Sequence, residues 1–163
     1  MIGDKLKLNL GCAVIMLDGY INIDKYVKSD IRLDLLEPLP YEDKTVDEIL
    51  LSHVLEHFTL KEGRTVIREC HRLLKDDGIL HVRVPDLLAC MCEFSEADEH
   101  SRYYKWIKTI YGGQWNPGEF HKTGFTKRHL VDTMEKYGFG VKAFQKPRED
   151  KDPEIDIIFN KIK

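Results

Sequence analysis

The stretch that decides the fold is Lys7-Leu8-Asn9-Leu10-Gly11-Cys12-Ala13, followed shortly by Tyr20-Ile21-Asn22-Ile23-Asp24. It predicts an apolar strand, a turn of small residues, and a second apolar strand that ends in a carboxylate. In an open α/β sheet, a glycine in the first turn lets the backbone approach a ligand, and an acid at the tip of the next strand accepts hydrogen bonds from ribose hydroxyls. Gly11 and Asp24 together therefore favour a nucleoside-binding pocket.

The composition predicts one globular domain. The 163 residues include 25 Lys and Arg against 28 Asp and Glu, which gives a net charge of −3. This balance argues against general nucleic-acid binding and against binding to an anionic membrane. No apolar run has the length of a transmembrane helix, and the start of the chain does not resemble a signal peptide. The 4 cysteines have no paired CxxC spacing, which favours reduced thiols and a cytoplasmic location.

Strands and helices alternate along the chain, which is typical of an α/β fold. Seven strands are predicted, at Leu6–Gly11, Tyr20–Asp24, Asp30–Leu35, Val46–Ser52, Ile79–Val84, Val141–Gln145 and Ile155–Asn160.

Apolar residues recur at helical spacing in three other segments. The helices are predicted at Thr59–Lys75, over 87–111, and at Thr126–Tyr137 with Thr126 as N-cap. Asp76-Asp77-Gly78 is expected to end the first helix. Gly112–Gly124 is expected to be an irregular loop, and Arg148–Asp152 a charged turn between the last two strands.

Five ordered segments resemble the motifs of class I S-adenosylmethionine-dependent methyltransferases. They are Leu8–Cys12, Gly19–Asp24, Asp34–Pro40, Val46–Ile49 with Ser52–Phe58, and Leu73–Leu80. The resemblance is close over 6–85 and loose over 121–162. It implies a three-layer α/β sandwich with a Rossmann-like, seven-stranded, mostly parallel sheet whose last strand is antiparallel. It also implies one domain over 1–163, with an acceptor-pocket insertion at about 86–125.

The resemblance implies S-adenosylmethionine as cofactor and assigns residues to it. Asn9, Gly11 and Cys12 would contact its methionine part, and Asp24 would accept hydrogen bonds from both ribose hydroxyls. The family usually has glycine where this chain has Ala13. A side chain at a position of positive φ costs about 1–2 kcal/mol, so weaker cofactor binding is expected.

The remaining implied cofactor residues lie farther along the chain. Asp34 and Leu35 would flank the adenine, and backbone carbonyls of Ser52 and His53 would hold the ammonium group. The interval from Gly11 to Asp24 is shorter than the roughly 20 residues of dinucleotide-binding folds. The first crossover is therefore expected to be a loop, which argues against a nicotinamide dehydrogenase.

His53-Val54-Leu55-Glu56-His57 also matches the H-x-x-E-H pattern of zinc peptidases. The motif directly follows a strand, whereas those enzymes need an established helix, so the peptidase interpretation is disfavoured. Some methyltransferases carry acid-x-x-Glu-His here and bind a divalent cation. His53 replaces the first acid, which would favour zinc-like ions with Glu56, His57 and His121. No metal is predicted, although this alternative stays open.

His57 and His121 are the predicted catalytic residues. Methyl transfer needs mainly proximity and desolvation, and a base is required only when the acceptor must lose a proton. Imidazole titrates near neutral pH and suits that role. Both residues follow neighbouring strands, whose carboxyl ends should meet at one cleft.

The predicted function is methyl transfer from S-adenosylmethionine to a small-molecule or glycan-type (sugar-containing) acceptor, on oxygen or nitrogen. Almost nothing precedes the first strand, so either an open site or closure by a second subunit is expected, which makes a homodimer possible. The alternative is a degenerate methyltransferase fold that acts as a non-catalytic binding partner, an interpretation favoured by Ala13 and the short first crossover.

Overall fold

The computed structural model describes residues 5–146 and 152–162 and contains a seven-stranded sheet of order β3-β2-β1-β4-β5-β7-β6. The strands are β1 Lys7–Leu10, β2 Ile21–Asp24, β3 Ile31–Arg32, β4 Val46–Ser52, β5 Leu74–Pro85, β6 Phe139–Phe144 and β7 Glu154–Lys161. β1 to β5 pair in parallel, whereas β7 is antiparallel to both β5 and β6. The Rossmann-like sheet predicted from the sequence is confirmed, including its antiparallel last strand.

The helices follow the predicted segments closely. They are α1 Leu60–Leu73, α2 Leu87–Glu96, α3 Glu99–Ser101, α4 Ile107–Tyr111 and α5 Lys127–Lys136, with a π-turn at Arg102–Trp106 and 3₁₀ turns at Leu55–His57 and Pro117–Glu119. The segment 87–111 is therefore helical with a break near Asp98, whose side chain caps α3. Thr126 caps α5 as predicted, because its hydroxyl accepts from the amide of His129. The turn predicted at Arg148–Asp152 lies outside the described residues except for Asp152.

The main core lies on one face of the sheet, where α1 and α5 pack against alternate residues of the strands. Leu8, Ile49 and Leu80 are fully buried there against the apolar residues of both helices. Each such side chain contributes about 1.5–3 kcal/mol to folding. The opposite face carries mainly polar side chains, such as the ion pair between Lys7 and Glu48.

The connection between β1 and β2 is a loop, as the short spacing predicted. Gly11 opens it at φ +65°, and a Cβ on Gly11 would lie 2.7 Å from Cγ2 of Val54. The amides of Gly11 and Cys12 both donate to the carbonyl of Ile23. The loop is thereby held against the end of β2.

The end of α1 differs from the prediction. The sequence predicted a helix that continues to Lys75 and ends at Gly78, but α1 ends at Leu73 and Leu74 already begins β5. Leu74 is fully buried and pairs with Val46, so sheet pairing prevails over helical propensity. The register shifts before Ile79, and Gly78 lies in this irregular part of the strand. A Cβ on Gly78 would lie 2.9 Å from Leu74 Cδ2.

α1 begins with a capping box, which yields a stability prediction. The hydroxyl of Thr59 accepts from the amide of Glu62, and the amide of Thr59 donates to the Glu62 carboxylate. We expect Thr59→Ala to lower the free energy of unfolding by about 1 kcal/mol, measured by urea denaturation. Thr65→Ala, at an exposed position inside α1, is the matched control and should be neutral or slightly stabilising. Equal losses in both variants would contradict the capping role.

Candidate functional site

A cavity of about 290 Å³ lies at the carboxyl ends of β1, β2 and β4. Gly11, Asp24 and His53 line it from these strand ends, and a loop that contains Asn116–Glu119 lines its far side. Ligands of open α/β sheets bind at this edge, outside the carboxyl ends of the strands. The cavity is therefore the candidate cofactor site.

Asp24 is the organising residue of this cavity. It is only 8% exposed, and its carboxylate accepts from the amides of Ala13 at 2.9 Å, Tyr26 at 2.7 Å and Val27 at 3.2 Å. Because each carboxylate oxygen has two lone pairs, acceptor capacity remains toward the cavity. Asp24 can thus hold two loops and still accept from ribose hydroxyls.

Ala13 has a left-handed backbone conformation. Its φ is +46°, so the expectation of a strained side chain at this position is confirmed. The strained geometry points the amide of Ala13 at Asp24. The positive φ of Ala13 and the hydrogen bond from its amide to Asp24 therefore belong to the same backbone conformation.

Asp34 and Leu35 also line the cavity, and the assignment of these residues to the adenine stays a prediction. Asp34 pairs with Lys25 at 2.6 Å and accepts from the amide of Leu36. Burial alone would raise the pKa of Asp34, but the hydrogen bonds from Lys25 and the amide of Leu36, together with the charge of Lys25, outweigh burial, so the pKa is lowered. Phe58 also lines the cavity. Leu35 and Phe58 are therefore two apolar side chains that a flat ligand ring could contact.

Three predicted cofactor residues do not line the cavity. Asn9 is buried and donates to the carbonyl of Ile15 and to Asn22, which fixes the loop from below. Cys12 is buried. Its burial and, to a smaller extent, the charge of Asp24 raise the pKa of its thiol. Ser52 is the last residue of β4. Cofactor contacts by these residues stay predictions.

The far wall of the cavity was not predicted from the sequence. Gly118 lies against Tyr26, and a Cβ on Gly118 would be 2.5 Å from the Tyr26 ring. Asn116 holds this turn by accepting from the amide of Gly118. The Pro117-Gly118 pair marked a turn, but only the tertiary structure brings that turn to β2.

A second cavity of about 420 Å³ adjoins the first. His53 and Glu119 line both cavities, and His121, Lys108 and Trp115 line the second. Lys108 lies over the Trp115 ring at 4.5 Å from its centroid. This space belongs to the insertion that the sequence assigned to the acceptor.

His57 and His121 meet where the two cavities join. Their ring centroids are 4.8 Å apart in an edge-on arrangement. The carbonyl of Glu56 accepts from the amides of Lys122 and Thr123, which fixes the loop after β5 against the turn after β4. The structure thus brings the two rings together, with His57 lining the first cavity and His121 the second, and their catalytic role stays a prediction.

His53 lies between two buried carboxylates. Its Nε2 is 3.1 Å from Glu154 and its Nδ1 is 3.3 Å from Glu56. Burial alone would lower the pKa of His53, but these two carboxylates outweigh it and the pKa is raised. His53 has a φ of +56°, which is an uncommon conformation for a residue other than glycine. Glu154 was not predicted, since 101 residues separate it from His53.

His121 is in the opposite electrostatic situation. Burial lowers the pKa of its imidazole, and the neighbouring His57 lowers it further, while Glu56 opposes both effects. Burial and His57 therefore both favour the neutral form of the His121 imidazole.

Residues 11–82, slightly less than half of the chain, match a family model described as a methyltransferase domain. No curated protein sequence matches the chain.

Several solved structures share the fold. An S-adenosylmethionine-dependent methyltransferase from Methanosarcina mazei has a TM-score of 0.69 at 17% identity, covering 99% of this chain and 94% of its own. One from Archaeoglobus fulgidus has a TM-score of 0.66 at 16% identity, covering 98% and 87%. The 1,6-didemethyltoxoflavin-N1-methyltransferase of Burkholderia thailandensis, solved with 1,6-didemethyltoxoflavin and S-adenosylhomocysteine, has a TM-score of 0.65 at 15% identity, covering 97% and 71%.

The chain therefore has the fold of these S-adenosylmethionine-dependent methyltransferases, and its residues 11–82 are similar to a methyltransferase domain. Those two archaeal proteins are described as dependent on S-adenosylmethionine. In the first cavity of this chain, Asp24 offers an acidic hydrogen-bond acceptor, and Leu35 and Phe58 offer apolar contacts. No described helix is long and apolar enough to span a membrane.

The positive φ of Ala13 predicts that glycine at this position raises the free energy of unfolding. Ala13→Gly should relieve about 1–2 kcal/mol of left-handed strain, partly offset by about 0.5–1 kcal/mol of lost chain entropy. We expect a net gain of up to about 1 kcal/mol in the free energy of unfolding, measured by urea denaturation. Ala97→Gly is the matched control because Ala97 has an ordinary φ of −69°, and it should destabilise. A loss of stability in both variants would contradict the strain.

Proposed function

We propose that the chain transfers a methyl group from S-adenosylmethionine to a small-molecule or sugar-containing acceptor. The cofactor occupies the cavity at Asp24, and the acceptor occupies the adjoining cavity at Trp115. The observation that carries this proposal is the meeting of both cavities at His53, His57 and His121.

The cofactor supplies an electrophilic methyl group on a positively charged sulfur. The chain's own residues bind, orient and exclude water. Asp24 accepts from the ribose hydroxyls, Leu35 contacts the adenine, and the turn at Gly118 covers the cavity. These roles supply the proximity and desolvation on which an in-line displacement depends.

The acceptor side favours a flat or sugar-like molecule. Trp115 and Tyr104 are both largely exposed, and both line the second cavity together with Lys105 and Lys108. Exposed aromatic faces stack on rings, and the two lysines can bind polar or negatively charged groups at their edges. A relative of the same fold is named for methylating a nitrogen of a small ring molecule, which supports this class of acceptor.

We also propose where the protein is located and how its acceptor cavity is closed. All four cysteines are free thiols, which supports a cytoplasmic location. The acceptor cavity opens beside the exposed Tyr104, so closure by a second subunit is proposed as well, to be checked by the mass of the particle in solution.

Asp24→Asn tests the cofactor site. We expect at least tenfold weaker binding of S-adenosylhomocysteine, about 1.4 kcal/mol, because a charged acceptor of hydrogen bonds becomes a mixed amide. Isothermal titration calorimetry measures the affinity, and circular dichroism verifies that the variant is folded.

The matched control is Asp30→Asn. Asp30 also accepts from a backbone amide, that of Asn22, but it does not line the cavity. Its variant should keep the affinity of the original protein. Equal affinities in the Asp24 and Asp30 variants would refute the assignment of Asp24, and no heat with the original protein would favour a non-catalytic binding partner.

His57→Ala and His121→Ala test the acceptor side. Each should lower turnover by about 10²–10⁴-fold while the affinity for S-adenosylhomocysteine changes little. The assay follows labelled methyl groups from S-adenosylmethionine into a metabolite extract, and then into the acceptor identified there. Unchanged turnover in both variants would mean that proximity alone drives the reaction.

A further inference from the structure

Lys108, in the second cavity, carries a positive charge that no described carboxylate neutralises. Four described lysines line the two cavities. Three of them form ion pairs with a carboxylate, at 2.6 Å, 3.2 Å and 3.5 Å; these are Lys25 with Asp34, Lys105 with Asp152 and Lys122 with Glu62. Within residues 5–146 and 152–162, no carboxylate forms such a pair with Lys108. Its ammonium group therefore has N–H donors available to a ligand in the cavity.

The other charged groups of the second cavity give a bound ligand a direction. His53 lines this cavity, but its ring nitrogens already face the carboxylates of Glu56 and Glu154, at 3.3 Å and 3.1 Å. Glu119 lines both cavities and lies too far from Lys108 to form an ion pair with it. An anionic group of a ligand is therefore repelled on the side of the cofactor cavity and attracted by Lys108.

Trp115 provides an aromatic surface directly beside this charge. Its side chain is 64% exposed, and Nζ of Lys108 lies 4.5 Å from the centroid of its ring. The ring also lies against the backbone of Gly113, where a Cβ would be 2.3 Å from Cζ3 and Cη2. Only glycine at position 113 permits this placement of the ring. A large exposed ring that is held at a cavity is a suitable contact for a ring of a ligand.

We propose that the methyl acceptor carries an anionic group, a phosphate or a carboxylate, that pairs with Lys108 while a ring of the acceptor contacts Trp115. This inference rests on the proposed function and narrows its acceptor to anionic molecules. The cavity of about 420 Å³ is within the range of roughly 300–1,000 Å³ that is usual for small-molecule sites. His121 lines the same cavity, so the group that receives the methyl group lies toward His121 and is separate from the anionic group.

The test compares three probes that share a sugar ring, namely glucose, glucose 6-phosphate and glucuronate. Each probe is titrated into the protein, with and without S-adenosylhomocysteine, while tryptophan fluorescence is recorded. The chain has 2 tryptophans, and Trp106 is only 4% exposed, so a change in emission reports on Trp115. We expect a charged probe to bind at least about tenfold more tightly than glucose. Comparison of the two charged probes shows whether the site prefers a phosphate or a carboxylate.

Lys108→Gln is the decisive variant, because it removes the charge and keeps most of the length of the side chain. It should bind the preferred charged probe at least about tenfold more weakly. Lys61→Gln is the matched control, since Lys61 is an exposed lysine of α1 that lines neither cavity, and its affinity should equal that of the original protein. Trp115→Phe should lose the change in emission. Circular dichroism verifies that all three variants are folded.

Two binding results would overturn the proposal. The first is that neither charged probe binds more tightly than glucose. The second is equal affinity for the charged probe in Lys108→Gln and in the original protein, which would assign the binding to another part of the surface.

A methyl-transfer assay separates this inference from the proposed function. A metabolite extract is treated with the protein and labelled S-adenosylmethionine, and the products are passed over an anion exchanger. Label in the retained, anionic products supports the inference. Label only in neutral products contradicts the inference and leaves methyl transfer intact. No label in any product, together with weaker binding of the charged probe in Lys108→Gln, contradicts methyl transfer and supports the anion site.

Discussion

The carboxylate of Asp24 is the interaction on which the site depends. It accepts the amides of Ala13, Tyr26 and Val27, so one buried side chain joins the loop after β1 to the loop after β2. Without a helix between β1 and β2, no other regular structure orders that loop. The strained φ of Ala13 persists because this hydrogen bond and the close contact of Gly11 with Val54 hold the surrounding backbone. Asp24 therefore both lines the ligand cavity and holds together the two loops that follow β1 and β2.

A second set of hydrogen bonds, between backbone groups, fixes the acceptor side of the site. The carbonyl of Glu56 accepts the amides of Lys122 and Thr123, which brings the loop after β5 onto the turn after β4. His57 and His121 approach each other for this reason, although 63 residues separate His57 from the neighbouring Phe120. The buried carboxylate of Glu56 lies at the same junction. Backbone pairing thus assembles a polar cluster at the boundary of the two cavities.

Local signals in the sequence were reliable where the physics is local. Strand β4 was predicted with the bounds that the structure has, Val46–Ser52, because the apolar run Ile49-Leu50-Leu51 at its centre is typical of a buried parallel strand. The capping residues of α1 and α5 act on amides three positions away. The end of α1 failed because the decisive contact, Leu74 with Val46, lies across the sheet. Asp-Asp-Gly resembles a helix end in sequence, but here it forms an irregularity in β5.

The resemblance to known methyltransferases implied the order of the sheet and its antiparallel last strand. The sequence by itself determined the strands, the loop crossover at Gly11 and the acid at Asp24. These features follow from apolar periodicity and from the chemistry of single residues, which act over a few positions. Only the tertiary structure decided that Asn9 and Cys12 support the loop without lining the cavity, that Tyr26 meets Gly118, and that Glu154 reaches His53. Such contacts join residues far apart in the chain, and their geometry depends on how sheet and loops pack, which no local pattern records.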